Sequence, residues 1–187
     1  VLRDEEIERM VEKTLDVMST RGLHDHLQGG FFRYCVDQEW TIPHFEKMLY
    51  DQAMLLWVYS LAFKVFRKER YRLIAGKILT CLEETFEEDG LFYSGHDADT
   101  GHEEGATYLW KGEELSTILT PEEYKLFAEA YLIPEGGNFE GRIHLIRRNG
   151  SALEGIEKKL LERRRERAQP FIDKKFVTSW NCLAGIA

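Results

Sequence analysis

Ala53-Met54-Leu55-Leu56-Trp57-Val58-Tyr59-Ser60-Leu61-Ala62-Phe63-Lys64-Val65-Phe66 is apolar nearly all the way round a helical wheel. A helix with that pattern has to be covered on every side. The next segment differs. Between Tyr71 and Phe86 the residues Tyr71, Ile74, Ala75, Ile78, Leu82 and Phe86 form one stripe, with Lys77, Glu83 and Glu84 off it. A fully covered helix followed by a one-sided one is what the inner and outer rings of an α/α toroid require. The expected fold class is therefore all-α: part of an α/α toroid, with short β excursions in its loops.

Upstream, Asp4 to Thr20 carries Ile7, Met10, Val11, Leu15 and Met18 at helical spacing, and Arg21-Gly22 closes it. The covered helix is expected to begin near Phe45 or Glu46, because Pro43 disfavours helix at the residue before it. The turns Gly29-Gly30-Phe31-Phe32 and Asp89-Gly90-Leu91-Phe92-Tyr93 each follow a helix and hint at a weak helical repeat with short strands. Downstream, Thr120-Pro121-Glu122-Glu123 reads as a capping box with proline at the first helical position. Its helix shows Tyr124, Phe127, Ala128 and Tyr131 on one face and ends at Pro134 and Gly136-Gly137. Asn138 to Asn149 reads as loop with a short strand, and a charged helix runs from about Leu153 to Ala168, where Pro170 breaks it.

Composition narrows the function classes. The 187 residues are 43% apolar and 12% aromatic, enough for one domain with a proper core. A net charge of -8 argues against nucleic acid or an anionic membrane as partner. No apolar run approaches the roughly 20 residues of a membrane span, and none reads as a signal peptide. Cys35, Cys81 and Cys182 are odd in number, scattered and free of any Cys-x-x-Cys pair, so a reducing, cytoplasmic setting is expected. The chain opens at Val1 without a Met. It stops within the apolar run Trp180-Asn181-Cys182-Leu183-Ala184-Gly185-Ile186-Ala187, which reads as the start of a buried helix in a longer protein. No interdomain linker interrupts it, and residues 1–187 are read as one part of one domain.

Chemistry concentrates just ahead of the apolar helix. His44, Glu46 and Asp51 are the candidate acid–base groups, since burial beside apolar surface moves both residue types toward neutral pKa. Glu46 and Tyr50, four apart, share a face, and Lys47 and Asp51 have the same spacing, at which they could pair. The bland alternative is that these groups cap the helix and hold a loop. A metal is not expected, because His44-x-Glu46 offers two ligands and no third. His24 and His26 have the spacing of a metal pair but read better as exposed loop histidines. A second acidic stretch, His96-Asp97-Ala98-Asp99-Thr100-Gly101-His102-Glu103-Glu104-Gly105, fails the ligand order of a calcium loop. It fits a pocket-lining carboxylate loop or a solvated turn.

Phe32, Tyr34 and Trp40 lie near the first set of acids, and Phe92, Tyr93, Tyr108 and Trp110 near the second. Carboxylates beside aromatic rings suit a sugar, though such rings also pack under loops. Lys158, Lys159, Arg163, Arg164, Arg165 and Arg167 are interleaved with Glu154, Glu157, Glu162 and Glu166, the pattern of a solvated helix rather than a nucleic-acid surface. Cys35 and Cys182 read as packed thiols.

Taken in order, Gly29-Gly30-Phe31, Arg33-Tyr34, Asp37 to Trp40 and Pro43-His44-Phe45-Glu46-Lys47-Met48-Leu49-Tyr50-Asp51-Gln52-Ala53 resemble the signature of the YyaL / spermatogenesis-associated protein 20 family. His96-Asp97-Ala98-Asp99, Glu104-Gly105, Tyr108-Leu109-Trp110, Gly137-Asn138-Phe139-Glu140, Arg163 to Arg167, Asp173-Lys174-Lys175 and Thr178-Ser179-Trp180-Asn181 extend the resemblance over residues 20–187. Cys35, Cys182 and Lys174 depart from it, standing where Ser, Gly and a second Asp are usual.

The resemblance implies an N-terminal thioredoxin-like domain in the full-length protein, followed by a six-hairpin glycosidase-like (α/α)6 toroid similar to N-acylglucosamine 2-epimerases and glycosidases. This chain would be the first part of that toroid. By fold analogy it implies a sugar epimerase, isomerase or hydrolase acting on a small sugar-like ligand without a cofactor. His44, Glu46, Asp51, Asp97 and Asp99 would carry the chemistry. Arg33, Tyr34, Asp37, Trp40, Lys47, Tyr50, Glu104, Trp180 and Asn181 would hold the ligand. The rival expectation is a non-catalytic binding or scaffold domain that supports the thioredoxin-like partner.

Overall fold

The computed structural model describes residues 4–148 and 153–187, which hold seven α-helices and nine two-residue strands. Helix α1 (Glu5–Thr20) is capped by Asp4, whose carboxylate accepts from the backbone N–H groups of Glu6 and Ile7. Only the second half of its apolar face enters the core. Leu15 is buried and Met18 packs beside it, whereas Ile7, Met10 and Val11 stay exposed.

Helices α2 (Leu49–Phe66) and α3 (Glu69–Thr85) form a hairpin turned by Arg67 in the left-handed region. Leu49, Tyr59 and Ala62 of α2 meet Tyr71, Ile78, Cys81 and Leu82 of α3, with Phe31 and Phe86 filling the same core. The stripe expected on α3 is realised. The complete covering expected of α2 is not: Met54, Trp57, Val58, Leu61 and Val65 are each 37–52% exposed. The helices that pack on α2 occupy the rest of its circumference, and no described residue covers this side.

The start of α2 also differs from expectation. Residues 43–48 are extended rather than helical, with β1 (Tyr34–Cys35) paired to β2 (Pro43–His44) and β3 (Lys47–Met48) paired to β6 (Gly95–His96). Burial alternates residue by residue: Pro43, Phe45, Lys47 and Leu49 face inward, and His44, Glu46, Met48 and Tyr50 face outward or stand half-exposed. The ladder to Gly95-His96 engages backbone that a helical first turn would have used.

The other short strands are loop excursions of the expected kind. β4 (Glu87–Glu88) and β5 (Leu91–Phe92) form a hairpin, as do β7 (Asp99–Thr100) and β8 (Glu103–Glu104), while β9 (Ile172–Asp173) pairs with β6. Gly30, at φ +74°, shows why the first turn needs glycine: a Cβ there would lie 2.7 Å from the Cys81 sulfur.

A second core gathers Trp110, Leu115, Phe127, Tyr131, Ile143 and Leu160 from α4 (Gly112–Ile118), α5 (Pro121–Ala130), α6 (Glu154–Arg165) and their connections. The capping box of α5 is present in both directions, Thr120 Oγ1 accepting from the Glu123 N–H and the Glu123 carboxylate from the Thr120 N–H. The expected short strand within Asn138 to Asn149 is reduced to single bridges, Phe139 with Arg142, Ile143 with Trp110 and Arg147 with Tyr131, and Asn149 lies outside the described residues. Helix α7 (Thr178–Ile186) packs along α2, but none of its residues is fully buried, against the expectation of a buried helix. Among the described residues no helix is long and apolar enough to cross a membrane.

Candidate functional site

The outward members of the 43–50 ribbon collect two polar groups. His44 Nδ1 lies 2.7 Å from Glu104 Oε1, with both side chains partly exposed. A carboxylate only accepts, so Nδ1 carries the proton and Nε2 is left as the free acceptor. Tyr34, the strand partner of His44, stacks on the imidazole at 5.1 Å and 24°. Asp99 sits opposite Glu104 across the β7–β8 hairpin. Four residues named from sequence thus come together here from three segments of chain.

The second group centres on Arg33, whose guanidinium donates to Glu46 Oε2 at 2.7 Å and also interacts with the Tyr50 hydroxyl. Asp51 lies within reach of both charges. Burial raises its carboxyl to about 6, with Arg33 opposing and Glu46 reinforcing the shift. Its Oδ2 is removed from solvent and has no hydrogen-bond partner among the described residues. The Trp180 ring of α7 meets Tyr50 edge-on at 4.9 Å.

Several expected site residues do other work. Lys47 does not pair with Asp51. It points inward, 1% exposed, and donates to Asp25 Oδ2 at 2.8 Å and to the Gly29 carbonyl at 3.0 Å. The Asp37 carboxylate accepts from the backbone of Thr41 and Ile42 and so shapes the β1–β2 loop. Trp40, at φ +58°, packs against the first core and accepts from the Gly22 N–H through its carbonyl. The Asn181 amide clasps both backbone groups of Phe92, tying α7 to the β4–β5 hairpin. Asp97 is exposed and accepts from the Asp99 N–H, a turn-forming contact.

Other expectations are revised as well. His24 and His26 are buried, not exposed, and face each other at 3.3 Å between Nδ1 atoms. His26 Nε2 can only donate to the Arg21 carbonyl, so its Nδ1 accepts and His24 Nδ1 donates. Among the described residues no three His, Cys, Asp or Glu side chains could hold a metal ion. Phe32, Tyr108 and Trp110 are buried packing rings rather than open faces. Cys35 is half-buried, its thiol pushed up to about 12 by burial and Asp37, while Cys182 is exposed rather than packed.

The buried ionic centre escaped sequence reasoning. Arg164 grips both oxygens of Asp25 at 2.9 and 2.8 Å, so the charged helix is not solvated all round. Glu157 is also buried, accepting from the Tyr131 hydroxyl. The missed signal was periodic: Ile156, Leu160 and Arg164 recur every fourth residue on the inner face of α6. A hollow of about 760 Å³ beside Tyr124 and Gly137, and one of about 330 Å³ beside Met10 and Val11, contain none of the expected site residues.

Helix pairs, short β ribbons and an outward His–carboxylate pair define a helix-rich chain with small sheets. No family model matches it. Spermatogenesis-associated protein 20 of Mus musculus is 33% identical over 94% of this chain, and its Homo sapiens counterpart 32% identical over the same share. An uncharacterised protein of Caenorhabditis elegans is 32% identical, again over 94%. The chain belongs to the spermatogenesis-associated protein 20 family, the one its motifs resemble. It spans 28% of the length of the mammalian relatives and 30% of the nematode protein.

Proposed function

We propose that this chain supplies the acid–base part of a carbohydrate-active site that moves a proton at a carbon beside the carbonyl of a sugar-like ligand. The observation that carries the reading is the His44–Glu104 pair, which leaves Nε2 as a partly exposed base while a carboxylate stands behind the imidazolium that forms. Arg33, Tyr50 and Trp180 would hold hydroxyl groups and the ring face. Glycoside hydrolysis needs two carboxyls free to flank the scissile bond. Here Glu46 and Glu104 are already engaged by Arg33 and His44, and the reading rests on the imidazole as the base rather than on a pair of carboxyls. The α2–α3 hairpin behind this face is the unit from which an α/α toroid is built. In this reading the rest of the ring and a thioredoxin-like domain belong to the full-length protein.

The test is solvent-deuterium incorporation at the carbon beside the carbonyl when full-length protein is incubated with aldoses and ketoses in D2O. Incorporation that His44→Gln abolishes and Glu104→Gln lowers about 100-fold, at the low end of what general base catalysis contributes, is expected. Absence of exchange with every sugar, or exchange that survives His44→Gln, overturns the reading.

One observation favours a non-catalytic scaffold instead: Arg33 with Glu46 and His44 with Glu104 close on each other as they would if their task were to hold loop ends. Under that reading His44→Gln lowers thermal stability and alters no ligand response.

A further inference from the structure

We infer that the turn after α1 is an acid-triggered hinge, in which the facing imidazoles of His24 and His26 hold the first core to the second while uncharged and release it when they take up protons. The turn passes from one core to the other, with Leu23 buried in the first and Leu27 in the second. The His24 ring rests on Phe31 of the first core and the His26 ring on Tyr131 of the second. Their Nδ1 atoms meet at 3.3 Å, a contact that holds a single proton. A second proton there would set two N–H donors against each other. The remaining nitrogens offer no better place. His26 Nε2 already donates to the Arg21 carbonyl, and His24 Nε2 is closed off from solvent with no partner among the described residues. A proton on it would create a buried, unpaired charge.

Neighbouring charges add to that penalty. Lys77 of α3 faces the pair, as do His144 and Arg147 from the segment between α5 and α6. Asp25 would favour charged imidazoles, but Lys47 and Arg164 already engage its two oxygens. Glu157 of α6 is likewise taken by Arg147, Lys77 and the Tyr131 hydroxyl. His144 closes the same turn, its Nε2 donating to the Gly22 carbonyl at 2.7 Å. Burial first, and these cations second, hold His24 well below its ordinary value and His26 at about 3, while burial holds His144 at about 4. In an opened turn the three rings meet water and return to about 6.5. Closure is therefore fully supported above 6.5, and opening takes up protons as pH falls from there toward 4.

Amide hydrogen exchange of the full-length protein at pH 7 and pH 5, each corrected for the intrinsic exchange rate, tests this. The Arg147 amide reports on the hinge, because it donates to the Thr20 carbonyl and so joins the end of α1 to the segment between α5 and α6. Tyr59 in α2 and Phe127 in α5 report on the two cores. Between pH 7 and pH 5 the opening seen at Arg147 should become about 25-fold more populated for each imidazole released, so on the order of 10,000-fold for all three. At pH 5 it should exceed the openings seen at Tyr59 and Phe127 by about tenfold or more. His26→Asn should remove one factor of about 25. An Arg147 opening that does not change with pH, that equals the opening of both cores at pH 5, or whose pH dependence survives His26→Asn intact overturns the inference. If His26→Asn does not fold, the two wild-type comparisons decide.

Discussion

Lys47 and Asp25 meet at 2.8 Å with at most 2% of either side chain reaching solvent, and Arg164 closes on the same carboxylate from α6. The Lys47 ammonium also lies over the rings of Phe32 and Tyr108, at 5.3 and 5.5 Å. One carboxylate thus joins the first glycine turn, the ribbon ahead of α2 and a helix near the other end of the chain. Burial opposes every charge in the group. Even so, Arg164 and Lys47 hold the Asp25 carboxyl well below its ordinary range, and Asp25 keeps Lys47 charged.

Lys47→Ala removes one partner of a buried pair and is expected to cost about 3–5 kcal/mol, as such truncations do. Urea unfolding reads this as a lower midpoint at unchanged slope. A loss below about 1 kcal/mol, the range of exposed pairs, would contradict the burial described for this lysine.

Stability should fall as pH drops from about 6.5 toward 4. Burial, as the leading cause, lowers His26 to about 3 and His96 and His144 to about 4, against 6.5 in the unfolded chain. The unfolded state therefore takes up protons that the native state refuses, so the contribution is complete above 6.5 and is lost downward through the window. Each histidine adds up to about 1.4 kcal/mol per pH unit. Asp51, lifted to about 6 by burial, binds its proton earlier in the native state and opposes the trend below 6. Unfolding free energies at pH 7 and pH 5 check the sign, and equal values would refute it.

Gly30→Ala should destabilise by about 1–3 kcal/mol, the usual cost of forcing extra volume into a packed site. The backbone there is left-handed, and the new methyl would meet Cys81 and the Gln52 amide that binds the Phe31 backbone. Gly90→Ala provides the contrast, because its positive φ faces open space. Thermal melts of the two variants side by side should separate the clash from the backbone strain.

Glu104→Ala is expected to change stability by less than about 1 kcal/mol, since its pair with His44 is partly solvated. The same substitution should strongly depress any proton exchange at His44. A variant as destabilised as Lys47→Ala would instead mark this contact as structural.

What could be read in the amino-acid order was local. The cap at Thr120, the stripe on α3 and the glycine turns depend on neighbours within a few residues, and all appear as expected. Residues 45–48 look like a helix start in the sequence and are extended in the fold because the strand partners of Lys47 and Met48, His96 and Gly95, lie far along the chain. For the same reason His44 and Glu104 were each named while their pairing was not. Arg164 was hidden by the glutamates around it, and only the fourfold recurrence with Ile156 and Leu160 distinguishes it from its solvated neighbours.

Because the inward and outward members of residues 43–50 are interleaved one by one, anchoring and presentation are the same mechanical part. An insertion or deletion of a single residue between Phe45 and Lys47 would throw the two halves of the segment out of phase, so that either the His44 imidazole is drawn into the interior or the Lys47 ammonium is turned into water. Length in this segment should therefore be tolerated far less than substitution, and a surface chemistry of this kind can be tuned only by changing side chains at fixed spacing.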